Sequence, residues 1–212
     1  MDQFILMGEN ISEFKKTLER IEEKLISAGK IYSAIQFQIW LVAMLLYYIV
    51  IAPLDTVPWQ LTMAYWVSAF AIFSYSSMKI WKRMSNLFRS YGKDIREKPS
   101  FGIGIFLSWT SGAVLGWGFI PGVLLKMGVN SAHAIGFLSF ISISVFGMFI
   151  TFLYLAESLE REMIPAFLVP ALGILTVLIA APEDMVYAGF VVGFGFSLTV
   201  LAYLYNAFRA LG

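Results

Sequence analysis

Six long apolar stretches separated by polar segments dominate the hydropathy pattern of the chain. None carries a charged residue near its centre, and a helix needs about 20 predominantly apolar residues to cross a bilayer. The stretches are continuous rather than alternating, which favours helices over barrel strands. Pro165 and Pro170 are expected to shorten or kink the fifth stretch. The six predicted spans are Ile31–Pro53, Trp59–Ile80, Phe101–Leu125, Ala132–Ala156, Ile164–Ala181 and Met185–Phe208.

The composition supports a membrane protein. The 212 residues are 59% hydrophobic and 14% charged, with a mean hydropathy of +0.76, whereas soluble domains carry about 25% charged residues. We therefore predict an all-α, polytopic integral membrane protein with six transmembrane helices and an N-terminal amphipathic cytoplasmic helix. The net charge of +1 gives no general attraction for nucleic acid. The absence of cysteine excludes disulfides and thiolate sites within the chain.

The basic residues are distributed very unevenly between the two ends of the predicted spans. Fourteen of the fifteen Lys and Arg residues precede span one, lie between spans two and three or four and five, or follow span six. Lys126 alone lies at the other end. The positive-inside rule then predicts that both termini are cytoplasmic in a cell membrane, and the short opposite loops leave no room for an extracellular domain.

The first 30 residues predict a separate cytoplasmic helix, with residues 31–212 forming the transmembrane domain. Apolar residues recur there in steps of three and four, as in a heptad stripe. The stripe could pack on the chain itself or on the lipid surface, or it could dock a partner. A second helical extension and a loop are predicted at about 79–100, after span two. The candidate docking residues are Phe4, Met7, Ile11, Phe14, Leu18, Ile21 and Leu25.

Small residues recur at intervals of four in spans three and six. Such stripes let helices approach closely, so we expect the two spans to touch each other or another subunit. The bilayer is one predicted partner, and a homo-oligomer or a complex with another protein is the second. The candidate packing residues are Gly104, Ser108, Gly112 and Gly116 in span three, and Gly189, Gly193 and Ser197 in span six.

The candidate chemistry of the spans is neutral. Ionisable residues inside a membrane mark proton relays and voltage sensors, and none lies near the middle of a span. Gln36, Gln38, Ser139 and Ser142 are the candidates for a polar path. No cofactor is predicted. The loop after span four, with Glu157, Glu160, Arg161 and Glu162, is expected to be solvated. The candidates for an outer-face cation site are His133, Asp55, Glu183 and Asp184.

Three functions fit this pattern. The first is a membrane subunit of a multi-component transport assembly, because the spans lack coupling residues and a partner chain would supply energy or gating. Its plan of an amphipathic helix, six spans and a cytoplasmic loop is similar to that of membrane subunits of ABC-type systems, at the level of architecture alone. The second is a non-catalytic scaffold that docks a cytoplasmic partner through its N-terminal helix. The third, a lipid-modifying enzyme, is least favoured because no nucleophile and base can be named; we expect no enzyme.

Overall fold

The chain folds into a bundle of α-helices, as seen in a computed structural model. The model describes residues 2–51, 54, 57–90, 99–155, 158–180 and 185–211, with the backbone alone for residues 2–12, 84, 88, 90 and 99. The helices are α1 (Asp2–Leu46), α2 (Trp59–Ser90), α3 (Pro99–Ala113), α4 (Ile120–Lys126), α5 (Ala132–Leu155), α6 (Ile164–Ala180) and α7 (Met185–Arg209). Over these described ranges no strand occurs, which confirms the predicted all-α class.

Five helical segments are long and apolar enough to cross a membrane. They are Glu13–Ile51, Ser100–Lys126, Ala132–Leu155, Arg161–Ala180 and Met185–Arg209. They coincide with five of the six predicted spans. The second predicted span is also helical, within α2, but Trp, Tyr, Thr and Ser occupy many of its positions, so it is less apolar than the other five.

α1 is one continuous helix of 45 residues. At a rise of 1.5 Å per residue its length is about 67 Å, roughly twice the hydrocarbon thickness of a bilayer. The predicted boundary at residue 30 is therefore not a break in the helix, and the N-terminal stripe and the first span share one rigid axis.

Two wider, π-helical turns extend the helices. Tyr47–Ile51 continues α1, and Val114–Phe119 joins α3 to α4. Such turns occur frequently at functional sites. The second turn carries Gly116, which packs against Phe140 of α5, and Trp117, which lines a cavity.

α5 lies at the centre of the bundle. Half of its 24 residues are buried, among them Leu138, Ser144 and Val145. It packs against α3, α4, α6 and α7, while α1 packs mainly against α7. α2 packs mainly against α1 and lies at the periphery.

The small-residue stripe of α3 packs on α5. A Cβ atom at Gly112 would lie 2.0 Å from Ser144 Oγ, and one at Gly116 would lie 2.4 Å from the backbone N and Cα of Phe140. Ser108 Oγ donates to the Gly104 carbonyl at 2.7 Å and lies 3.5 Å from Thr151 Oγ1. Only a hydrogen side chain permits this approach, which brings the two backbones into contact.

The stripe of α7 packs on α1 and the π-helical turn that follows it. A Cβ atom at Gly189 would lie 2.4 Å from the Tyr48 ring, whereas one at Gly193 would lie 3.6 Å from Leu41. Ser197 Oγ donates to the Gly193 carbonyl at 2.8 Å. The two stripes therefore pack on different helices of the same chain rather than on each other.

Candidate functional site

A cavity of about 750 Å³ lies between α1, α2, α3 and α5. The face of α1 that lines it carries Gln36, Phe37, Trp40 and Met44, which follow the three- to four-residue period of a helix. The π-helical turn after α3 contributes Trp117, and α7 contributes Phe196. This volume lies within the range of pockets that hold small organic ligands.

Aromatic rings form most of the cavity wall. The ring centroid of Trp40 on α1 lies 4.8 Å from that of Phe73 on α2 and 6.0 Å from that of Trp109 on α3. Trp109 in turn lies 5.6 Å from Phe140 on α5. These separations are typical of attractive aromatic pairs, so the rings hold the walls in place. The lining aromatic residues are Phe37, Trp40, Trp66, Phe70, Phe73, Phe106, Trp109, Trp117, Phe137, Phe140 and Phe196.

The cavity meets the outer surface of the bundle between α2 and α3. Phe70 of α2 and Phe106 of α3 both line it, and they are 61% and 68% exposed. Both helices lie at the periphery on this side, and no described residue of α2 is buried. A molecule in the surrounding medium can therefore reach the cavity from the side of the bundle.

Among the described residues of the lining, Gln36 and Ser74 carry polar, uncharged side chains, apart from the indole nitrogens, and none is charged. Ser77 Oγ on α2 donates a hydrogen bond to Gln36 Oε1. The other half of this amide, Nε2, is shielded from solvent and has no hydrogen-bond partner among the described residues. A buried polar atom of this kind costs free energy unless something pairs with it.

The other residues of the predicted polar path lie elsewhere. Gln38 is exposed on another face of α1, and Ser139 and Ser142 are buried in α5 outside the cavity lining. Ser142 Oγ has no hydrogen-bond partner among the described residues. Of these four residues, all of which the structure describes, only Gln36 lines the cavity.

The candidate cation site can be placed only in part. His133 is exposed in the first turn of α5, whereas Asp55, Glu183 and Asp184 lie outside the described residues. Within the described ranges, no group of three or more His, Asp or Glu side chains is arranged to hold a metal ion.

The predicted docking stripe changes its environment along α1. Phe14 and Leu18 are 66% and 50% exposed, Ile21 is half-buried and Leu25 is buried. The side chains of Phe4, Met7 and Ile11 lie outside the description. The apolar face is thus covered by the chain's own helices from about Leu25 onward and uncovered around Phe14.

An ion cluster fixes α1 to the bundle where this change occurs. Lys30 Nζ lies 2.9 Å from both Glu160 Oε2 and Glu162 Oε1. The side chains of Lys30, Glu160 and Glu162 are 20%, 12% and 6% exposed. The expectation that Glu160 and Glu162 lie in a solvated loop is therefore wrong, because the lysine draws both carboxylates into the bundle. Glu157 lies outside the described residues.

Further hydrogen bonds complete the ion cluster. Ser158 Oγ donates to Glu160 Oε1 at 2.6 Å, and Asn206 Nδ2 donates to Glu162 Oε1 at 2.8 Å. Lys30 Nζ also lies 5.4 Å from the centroid of the buried Tyr203 ring, within the range of a cation–π contact. The cluster joins α1, the segment before α6, and α7.

Comparisons of the chain with protein-family models, with curated proteins and with solved structures found no match.

The sequence contains a signal for the aromatic cavity that the prediction did not use. Tryptophan in membrane helices is enriched at the two interfaces, yet Trp40, Trp66 and Trp109 lie well inside the predicted spans. Four of the six tryptophans line the cavity: Trp40, Trp66, Trp109 and Trp117. Indole rings away from the interface need a reason, and here these rings line the cavity.

Proposed function

We propose that this chain is the membrane-embedded subunit of a transport assembly and that its aromatic cavity accepts a neutral, largely apolar molecule from the bilayer. The observation that carries the proposal is the cavity itself, with its uncharged, ring-lined wall and its exposed rim at Phe70 and Phe106. Apolar solutes partition into such a site without a desolvation penalty, whereas an unpaired charge would be strongly disfavoured there.

The proposal includes α2 as a sixth span and places both termini in the cytoplasm. Between Trp59 and Ile80 the sequence holds a single charged residue, Lys79, close to one end. These 22 residues would extend about 33 Å as a helix, enough for the hydrocarbon core. Val67, Phe70, Ile72 and Tyr75 are each more than 60% exposed, as expected of side chains that face lipid. The positive-inside distribution supports the orientation.

A partner chain is proposed as the source of energy or gating. Ion-coupled carriers place ionisable groups along the solute path, and the residues that line this cavity include none. The chain can therefore bind a solute by shape and apolar contact, while another protein would change its conformation.

The test of the cavity uses the tryptophans as internal reporters. The protein is placed in phosphatidylcholine vesicles, pyrene is added, and energy transfer from tryptophan to pyrene is measured against vesicles that carry a control protein. We expect transfer to saturate with pyrene concentration. Gly102→Phe should abolish the saturable part, because Gly102 lines the cavity and a Cβ atom there meets nothing within 4 Å. The added ring can therefore enter the cavity without disturbing the backbone.

Gly122→Phe is the matched control. Gly122 is exposed on α4, outside the cavity lining, and it also has open space at the Cβ position. We expect this variant to retain saturable transfer. A linear, unsaturable signal in the unchanged protein, or equal loss in both variants, would contradict cavity binding.

The partner requirement is tested with the same vesicles and the protein alone. A proton gradient is imposed across the membrane, and pyrene occupancy is measured with and without it. We expect equal occupancy in both conditions. If occupancy follows the gradient, the chain couples to protons by itself and the partner requirement is wrong.

A scaffold that docks a cytoplasmic partner is the second candidate, favoured by the uncovered stripe of α1. Phe14 and Leu18 are exposed one helical turn apart, so a partner helix with its own apolar stripe could cover them. The chain contains no cysteine, so Leu18→Cys can be cross-linked at one position in native membranes. We expect a product with a second, different chain from Leu18→Cys and none from Glu19→Cys on another face. Equal yields at both positions would contradict docking.

A further inference from the structure

The amide of Gln36 is only half paired within the cavity region. Its Oε1 accepts from Ser77, and its Nε2 has no partner among the described residues. Exchanging the two amide atoms would leave the oxygen unpaired instead, since Ser77 can donate or accept. Either arrangement leaves one hydrogen-bonding group of Gln36, a residue of the cavity lining, without a partner among the described residues.

We infer that the molecule bound in the cavity has a flat or unsaturated apolar body with one neutral hydrogen-bonding group, a hydroxyl or a carbonyl, and that Gln36 binds this group. The inference rests on the proposed function and specifies its ligand. A charged group is disfavoured because no described residue of the lining offers a counter-charge. Two or more polar groups are disfavoured because, within the part of the chain that the structure describes, Ser74 is the only other polar, non-indole side chain of the lining.

The shape of the apolar body follows from the rings around it. Trp40 of α1 and Trp109 of α3 are stacked with an interplanar angle of 28°, and both line the cavity. Aromatic faces attract other flat π systems in offset-stacked or edge-to-face arrangements. A planar or conjugated body therefore gains more from this wall than a branched aliphatic body of equal volume.

The position of Gln36 also orients the ligand. It lies six residues beyond Lys30 of the ion cluster, which is about 9 Å along the α1 axis. From Gln36 the lining continues along α1 to Met44, a further eight residues or about 12 Å. The polar group should therefore lie at the end of the cavity nearest the ion cluster, with the apolar body extending toward Met44 and Trp117.

The test compares two probes that differ by one hydroxyl, 1-methylpyrene and 1-pyrenemethanol, in the same vesicles. Energy transfer from tryptophan gives the affinity of each, corrected for the amount of probe in the membrane. We expect 1-pyrenemethanol to bind about 3- to 10-fold more tightly, as one hydrogen bond to an otherwise unpaired group provides. The cationic 1-pyrenemethylammonium should show no saturable transfer.

Variants at Gln36 test whether its side-chain amide causes the preference for 1-pyrenemethanol. Gln36→Leu and Gln36→Met should bind the two neutral probes with equal affinity, because neither side chain can form the hydrogen bond. Gln38→Leu is the control, because Gln38 is exposed and does not line the cavity, and it should keep the preference for the hydroxyl. Binding of 1-methylpyrene also reports that each variant is folded.

The outcomes separate this inference from the proposed function. If the unchanged protein binds both neutral probes saturably but equally, or if the preference survives in Gln36→Leu and Gln36→Met, the inference is wrong and the apolar cavity stands. If neither probe binds saturably and Gly102→Phe changes nothing, the proposed function fails as well. A preference that is lost in a Gln36 variant that still binds 1-methylpyrene supports the inference.

Discussion

α5 and α2 are both helices of the bundle, yet they are packed in opposite ways. Half of the residues of α5 are buried, whereas no described residue of α2 is buried. α5 has neighbours on several sides, and α2 packs mainly on α1. The glycines and serines of α3 let it lie close to α5. Large rings of α1, α2 and α3, by contrast, surround a cavity.

The difference shows how side-chain size divides the molecule into a tightly packed part and a part that contains a cavity. Small residues let helices approach until no space remains. Large rings hold the helices further apart, and here the rings of several helices surround a space that they do not fill. The cavity therefore lies where the aromatic residues are, on the side of the loosely packed helix, and the α5 side supplies its rigid back wall.

The largest expected effect comes from disrupting the ion cluster of Lys30, Glu160 and Glu162. Lys30→Met removes the cation and leaves the carboxylates of Glu160 and Glu162 buried without a counter-charge. We expect a loss of about 3 to 5 kcal/mol in the free energy of unfolding, measured by thermal unfolding in detergent. Lys15→Met is the control. The side chains of Lys15 and Glu19 lie 3.9 Å apart and are 78% and 59% exposed, so this variant should leave the free energy of unfolding unchanged.

A triple variant sharpens this prediction. Lys30→Met combined with Glu160→Gln and Glu162→Gln removes all three charges and should recover most of the lost stability. If the single and triple variants are equally unstable, packing of the lysine stem rather than charge explains the effect.

The second prediction concerns the seam between α3 and α5. Gly116→Ala would place a methyl group 2.4 Å from the Phe140 backbone, which must move away. We expect a loss of about 1 to 3 kcal/mol in stability, the usual cost of overpacking. Gly193→Ala is the control on α7, where the nearest atom would lie 3.6 Å away. Similar unfolding midpoints for the two variants would contradict close contact between the α3 and α5 backbones at Gly116.

The smallest effect is expected on the α2 side. Tyr65→Phe removes the hydrogen bond from Tyr65 Oη on α2 to the Ala43 carbonyl on α1. The loss should be about 1 kcal/mol, and it should appear as faster hydrogen exchange in α2 with exchange in α5 unchanged. Exchange that rises equally in both helices would mean that the two parts unfold as one unit.

The fold class could be predicted because hydropathy is a local property. Each span is recognisable from its own residues, and a run such as Met185–Phe208 needs no information about its neighbours. The small-residue stripes were equally visible. Their partners were not, because a row of glycines indicates a close approach without indicating which helix approaches.

The candidate site depends on contacts between residues far apart in sequence. Trp40, Phe73 and Trp109 lie on three helices, and Lys30 meets Glu160 across 130 residues. Lys30 resembles the other lysines of the N-terminal segment in sequence. Its burial follows from the packing of α1 on α7, which no local pattern specifies. The heptad stripe fails as one uniform surface for the same reason, since Leu25 is covered by the chain and Phe14 is not.

The uninterrupted axis of α1 has a practical consequence for imaging. A helical protein of only 23.8 kDa offers electron microscopy few features by which particles can be aligned. A rigid helical protein fused in register ahead of Glu13 would follow the same axis, and each added residue would turn it by 100° and advance it by about 1.5 Å. The orientation of such a marker relative to the helical bundle could therefore be chosen by counting residues.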